Sequence, residues 1–499
     1  MNNASLLPLI ILLIPLCAAP VLLALPERSA GLRTAINLGA ALVKVLLVAW
    51  LSWKVSQGVI YDLRWTVLPG LDLNLQADPL AILFIALSAV LWLITTVYAV
   101  GYLEKGPDRA RFFGFFSLCV AATVGIALAG NLFTFLLFYE MLTLATYPLV
   151  IHYGTAAALR AGRIYLIYTL GGGLVLLLGT LGLWVLAGST DFVPGGILEG
   201  VAEDSPLAAR LLFAVLIIGL GVKAAMVPLH SWLPVAMVAP APVSALLHAV
   251  AVVKAGAFGI IRVVYEVYGI ETAQALGLTT ALAVLAAITI LYGSIRALGQ
   301  DDIKRRLAWS TVSQVSYIAL GVALASPIAA MGALAHLIHQ GIMKITLFMV
   351  AGNLAEGLGI KQVSRMNGVG LIMPGSMAAF TLAALGMIGL PPLAGFVSKW
   401  YLAAGGLDAG QGWVIPLLLG SSLLNAAYFL PMLHRAWFRQ PDAAPQDAPV
   451  RRPIGWMLAA PPIATAALVL MAGGLANAPF SPLEWTRFIV TLEYSAEAF

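Results

Sequence analysis

Charge is scarce in this 499-residue chain. Asp, Glu, Lys and Arg make up 10% of it, against 61% hydrophobic residues. So few charged groups cannot solvate a protein of this length, which excludes a soluble globular domain and fits a polytopic membrane protein. Cysteine is nearly absent too. Cys17 and Cys119 both lie in apolar segments, which excludes a disulfide framework and a cysteine-rich metal site. The N-terminal MNNASLL has no basic region and no small-residue cleavage site after it, so residues 5–25 read as a retained first span. There is no nucleotide motif and no haem or iron–sulfur ligand set, and no cofactor is expected. The net charge of +5 sits in loops and reports topology, not nucleic-acid binding.

Long apolar runs fill the chain instead. Runs of about 20 residues place fourteen spans, near 5–25, 32–54, 78–101, 111–129, 131–152, 163–188, 207–228, 240–264, 275–298, 306–325, 329–353, 371–402, 412–435 and 455–475. The fold class is therefore all-α and polytopic. The run at 371–402 is too long for one straight helix. It contains GLPPLAG at 389–395, where Pro391 and Pro392 must break the hydrogen-bond ladder. The run at 207–228 leads into VPLHSWLP, a second break. Broken helices at membrane depth are tolerated only against protein or a wet cavity.

With the N-terminus outside, seventeen Lys and Arg fall in inside loops and five in outside segments; five buried lysines complete the 27. The positive-inside bias puts both termini on the outer side of an inner (cytoplasmic) membrane. No soluble domain remains. The 436–454 loop, RQPDAAPQDAPVRRP, reads as a Pro/Ala-rich linker. Gly171, Gly172 and Gly173 lie inside an apolar run. They lack the strand–loop–helix context of a phosphate loop, and small residues of this kind let helices approach closely.

Against this apolar background the ionisable residues stand out. Lys44, Lys223, Lys254, Lys344 and Lys399, with Glu140, lie inside spans. A charge at the bilayer centre costs about 2.5–3.5 kcal/mol on insertion scales, so such residues usually mark an ion or proton path. Glu140 and Lys223 lie on different spans. They are either a static pair that fixes packing or a switchable pair that loads and releases a proton. His248 and Lys254 are six residues apart and point about 120° apart on a helix. His248 is either a satisfied structural histidine or a relay. In HLIHQGIMK, His336, Gln340 and Lys344 share one stripe at i, i+4 and i+8, with His339 beside it. Two histidines could bind zinc or copper. Their i+3 spacing, the missing Cys, Asp or Glu, and a cationic lysine on the same stripe argue against a metal. Lys399 follows the double-proline break and is either a deep relay or a snorkelling lysine. Lys44, near Trp50 and Trp53, reads as peripheral and snorkelling.

YEMLTLATYPLV, GVKAAMVPLHSWLP, PAPVSALLHAVAVVKAG, HLIHQGIMKITLFMVAGN and GLPPLAGFVSKWYL together resemble the proton-conducting antiporter-like family. That family includes the large subunits of Mrp-type cation/proton antiporters, the complex I membrane subunits L, M and N, and membrane-bound hydrogenase relatives. The resemblance runs from about residue 75 to 440. It implies two inverted five-helix repeats, each with a broken helix. The implied organisation is 1–110 (helices 1–3), 111–270 (first repeat), 271–436 (second repeat) and 437–499 (linker, helix 14 and outer tail). By motif, Glu140 and Lys223 correspond to a gating pair and Lys254 to a central relay. His336 and Lys344 correspond to the link through the second repeat, and Lys399 to the terminal lysine of the exit path; independently of the resemblance, Lys399→Glu exchanges one titratable group for another and is expected to retain partial function. The chain departs from the family's Asn-His pair by carrying His339-Gln340. It resembles the D-type component of Mrp antiporters most. It is short, and it lacks the lateral helix of complex I subunit L and the extra domains of the A-type Mrp component.

The function this implies is proton translocation inside a multisubunit monovalent cation (Na+ or K+)/proton antiporter. The expected partners are other membrane subunits and the lipid bilayer, with no nucleic acid. The chain is expected to be a transporter subunit, not an enzyme. The rival readings are a redox-driven proton-pumping subunit of complex I or a hydrogenase, and a membrane partner of a bicarbonate-uptake protein.

Overall fold

A computed structural model of the protein describes residues 6–68, 70–103, 106–441 and 454–493. Most of the expected linker therefore lies outside the described residues. The helices run in chain order as α1 (Leu7–Ala24), α2 (Ala30–Ser56), α3 (Pro79–Leu103), α4 (Arg109–Leu128), α5 (Leu132–Val150), α6 (Ala156–Ala187), α7 (Pro206–Lys223), α8 (Ala241–Ala249) and α9 (Val252–Arg262). After these come α10 (Leu278–Leu298), α11 (Ile303–Ala323), α12 (Pro327–Leu358), α13 (Pro374–Ile388), α14 (Ala394–Asp408), α15 (Val414–Phe438), α16 (Trp456–Gly474) and α17 (Pro482–Glu493). Twelve of the described helical segments are long and apolar enough to cross a membrane, by length and composition. Two further expected crossings fall outside that set for physical reasons. The helix α11 is 21 residues long, about 32 Å, but carries a polar buried face. The α13/α14 pair is one crossing broken in the middle.

Local chemistry fixes the helix ends. Asn131, Thr155, Asp302 and Ser326 accept hydrogen bonds from the amides of Thr134, Ala158, Arg305 and Ala329, as N-caps do. Proline occupies the first turn of α7, α12 and α13, where its missing N–H costs nothing. Gly188 and Gly359 close α6 and α12 in the left-handed conformation.

Both expected breaks are present. The helix α7 ends at Lys223, and Ala225 follows with φ 55°, a left-handed conformation that costs a non-glycine residue about 1–2 kcal/mol. A short helical segment, Trp232–Val235, then precedes α8. A third interruption separates α8 from α9 at Val250 and Ala251.

One element departs from an all-helical reading. Tyr61–Leu68 and Leu71–Ala77 form an antiparallel hairpin, β1 and β2. Arg64 holds it to Asp191 at 2.9 Å, and Leu75 and Ala129 make an isolated bridge. The hairpin, the α4–α5 turn, the α6–α7 loop and α17 lie on one side of the helix bundle, called here the hairpin side.

The core is the α8–α9 crossing and α12, whose membrane windows are wholly buried. Close helix approach depends on glycine at two positions. A Cβ at Gly256 would overlap the backbone of Ala224, and one at Gly173 would overlap the Glu140 carboxylate.

Candidate functional site

The predicted residues sort into three groups. Lys223 is the last residue of α7 and is fully buried. Its amine donates to the Tyr139 carbonyl and lies 3.3 Å from the Tyr139 ring centre, which is a cation–π contact. Glu140 is half-buried next to Tyr139 on α5, and its Oε1 has no hydrogen-bond partner. Its charge acts on Lys223, but among the described residues the two do not form a direct ion pair. The break leaves orphan carbonyls at the end of α7, and the Trp232 indole takes the Val222 carbonyl at 2.7 Å.

The second group is central. Lys254 is fully buried, and its amine has no hydrogen-bond partner among the described residues. Its charge acts on His336, His339 and Lys344, so α9 and α12 bring these four residues together. The Lys344 amine donates to Ser310 Oγ at 2.5 Å and the Leu307 carbonyl at 3.1 Å. His248 stacks on Phe348 at 4.5 Å, and neither of its ring nitrogens has a partner. The interruption between α8 and α9 resets the helical phase, so His248 faces Lys344 and Lys304 although it shares no stripe with Lys254. Both amide atoms of Gln340 also lack partners.

The third group is at the second break. His336 Nδ1 lies 2.9 Å from Ser398 Oγ, and its ring stacks on Tyr317 at 5.1 Å. The Lys399 amine sits 5.4 Å from the same Tyr317 ring. It donates to the Met387 and Ile388 carbonyls at 2.9 and 3.0 Å and to Ser422 Oγ at 3.0 Å. Lys399 does not snorkel; it is 8% exposed and reaches back across the break. Lys223 precedes its break and its amine reaches across to α5, whereas Lys399 follows its own break and its amine ends at the C-terminus of α13. Carbonyls free of helix partners and the negative dipole end favour a cation there.

Two expectations about lysines fail. Lys44 is not peripheral. It is fully buried, donates to Ser88 Oγ at 3.0 Å and lies 5.1 Å from the Trp92 ring centre. Lys304, counted as a loop charge from sequence, donates to the Ala239 carbonyl at 2.5 Å and to Ser244 Oγ at 3.2 Å. Lys304 lines a cavity of about 300 Å³ with Tyr102, Tyr153, Glu356 and Lys361, away from the hairpin side. Ser244 is one turn before His248 on α8, so Lys304 ties the edge of this cavity to the helix that carries His248. Sequence reading also passed over Ser310 and Ser422, which hold amines, and Ser398, which meets the His336 imidazole. The run STVSQVSY at 310–317 is the signal that could have found the first.

A row of buried amines and imidazoles, held by carbonyls and hydroxyls between two broken helices, defines a polytopic membrane protein built around an intramembrane polar axis. The chain belongs to the NADH:quinone oxidoreductase/Mrp antiporter transmembrane family, whose model matches residues 129–425. It is 37% identical over 453 residues to NADH-quinone oxidoreductase subunit N of Desulforudis audaxviator, covering 88% of each chain. It is 30% identical over 467 residues to the A/B component of a probable K(+)/H(+) antiporter of Rhizobium meliloti, covering 90% of this chain and 45% of that one. Its fold matches a chain of the Mrp complex from Dietzia sp. with a TM-score of 0.90, covering 100% of this chain and 99% of that one at 24% identity.

Proposed function

We propose that this chain is the proton-translocating subunit of a multisubunit monovalent cation/proton antiporter of Mrp type. The observation that carries the reading is the axis itself. Glu140 and Lys223 stand at one end, Lys254, His248, His336 and Lys344 in the middle, and Lys399 at the other end, on helices that the sequence breaks beside the two terminal lysines. An amine can trade its proton inside a protein, whereas a guanidinium cannot, and no arginine lies in this row. The chain moves protons and carries out no chemistry of its own. Residues 111–270 and 271–436 act as two repeats of five crossings each. Five is an odd number, so the second repeat enters the membrane from the opposite face. The hairpin side, with both termini, faces outward from the inner membrane, in keeping with the Lys and Arg bias towards the other face.

A second reading keeps the same axis inside a redox-driven complex, and the 37% identity to a complex I subunit N favours it. Affinity purification of the tagged chain from its native membrane separates the two. Co-purifying small membrane subunits, with Na+- or K+-dependent proton movement in proteoliposomes, support the antiporter. Co-purifying iron–sulfur subunits would replace it with the redox-driven complex.

A further inference from the structure

The proposed axis has seven residues, but the most heavily charged buried cluster lies outside it. Arg262, the last residue of α9, is 1% exposed. Its guanidinium is held between the rings of Phe192 and Phe258, 5.4 and 5.2 Å from their centres. It donates to Asp78 Oδ2 at 2.7 Å and Oδ1 at 3.1 Å, and to both Glu266 oxygens at 2.5 Å. Glu266 is buried in a six-residue π-helical segment, Val263–Tyr268, and single π turns recur at functional sites. The third carboxylate is Glu493, on α17. The Trp485 indole on the same helix donates to the Pro79 carbonyl at 2.9 Å, which fixes α17 beside Asp78.

Glu493 is close enough for the charges of Glu266, Asp78 and Arg262 to act on it. Its Oε2 is buried and has no partner among the described residues. One guanidinium is therefore committed to two carboxylates, with a third within reach of its charge. Other charges nearby do not balance the third. Glu484 and Arg487 on α17 pair with each other at 2.8 Å. Asp191 is taken by Arg64. The ionisable groups of α12, which packs along α17, are His336, His339, Lys344 and, at its far end, Glu356. An unpaired buried carboxylate beside two others is costly unless it holds a proton.

We propose that Asp78, Glu266 and Glu493, gathered around Arg262 on the hairpin side, form a proton-holding site where the buried axis meets that side of the membrane. This deepens the proton-translocating reading and rests on it. Lys254 and Arg262 are eight residues apart on α9, about 12 Å along the helix, so one rigid element carries both the centre of the axis and this site. On release, the O–H bond of the Glu493 carboxyl breaks, the proton passes to water on the hairpin side, and the carboxylate stays behind until a proton from the axis refills it. Burial, reinforced by Glu266 and Asp78 against the pull of Arg262, pushes the Glu493 carboxyl up to about 8, which allows loading and release near neutrality.

The test uses the full chain in its assembled complex, with infrared titration of the protonated-carboxyl C=O band across pH 6 to 10 (about two units either side of the Glu493 value). The wild type should show a carboxyl band that disappears near pH 8. Glu493→Gln should lack it, and Glu493→Asp should keep a shifted one. In proteoliposomes Glu493→Gln should slow transport by about 10²-fold, as removal of a placed proton donor does, and Glu493→Asp should recover part of the rate. A titrating carboxyl band that survives both Glu493→Gln and Glu266→Gln, or wild-type transport by Glu493→Gln at every pH on the hairpin side, would reduce the cluster to a static brace. Normal transport by Lys254→Arg together with a band lost in Glu493→Gln would overturn the axis and leave this site standing.

Discussion

The α-carbon of Gly173 lies directly against the carboxylate of Glu140, so that any side chain at 173 would take the space that Oε1 occupies. Two helices, α5 and α6, meet there. The glycine makes room for a charged group.

That contact gives a separable pair of variants. The Glu140 side chain is flexible at its end, so Gly173→Ala should fold and insert normally while rotating the carboxylate away from its place. Transport should fall towards that of Glu140→Gln, which we expect to be inactive with assembly intact. Gly171→Ala is the control, because nothing lies within 4 Å of a Cβ there. Cation-dependent proton movement in everted vesicles at matched expression reads the outcome. Equal rates for both alanine variants would separate the Glu140 position from transport.

Lys254→Arg retains positive charge at the centre of the axis. It removes a group that can lose its proton. Transport should drop by about 10²-fold or more. A fully active variant would mean that position 254 needs a fixed cation only.

Lys399→Glu is expected to fail, against the partial function that exchanging one titratable group for another suggests. The lysine donates to two carbonyls at the end of α13. A carboxylate would place acceptors against those acceptors, leaving Ser422 as its donor. Lys399→Gln, which keeps N–H donors, should assemble better than Lys399→Glu while transporting no faster. Comparing assembled complex on native gels with transport rate checks both halves of the statement.

Lys44→Arg should destabilise the protein, because its site between α2 and α3 is closed. Forcing a larger side chain into a packed interior costs about 1–3 kcal/mol. Lys44→Met preserves the shape and should cost less. Thermal unfolding midpoints of the purified variants decide the order. An unchanged midpoint for Lys44→Arg would restore the peripheral reading.

Much of the architecture was legible because lipid leaves few choices. Apolar run length placed the crossings, and Pro228 and Pro391–Pro392 placed the breaks. Four features were not. The hairpin at 61–77 alternates as DLRWTVLPGLDLNLQ, a period-two signal hidden between two much stronger helical ones. Lys44 was misplaced because flanking tryptophans mark an interface only when they face lipid, and the chain order cannot say which side of α2 faces Ser88. Arg262 is one of the five Lys and Arg that fall in outside segments and Glu493 lies in the outer tail, so the sequence marks neither as buried. Their burial depends on α17 folding back against α3, a contact between residues 406 positions apart. The phase reset between α8 and α9 was invisible because neither proline nor glycine stands at Val250 or Ala251.

His336 and Lys344 stand eight residues apart on the same straight helix, about 12 Å along its axis. A proton passes directly between groups only within about 3 Å, or through one water. Side chains on α12 therefore cannot hand protons along by themselves. The unpartnered amine of Lys254, the rings of His248 and the amide of Gln340 mark where water must enter to close the circuit. Conduction along the proposed axis then depends on whether water reaches these buried groups. A few ångströms of helix movement can thus act as a valve without moving any of the charged residues far, because hydrophobic constrictions gate by dewetting.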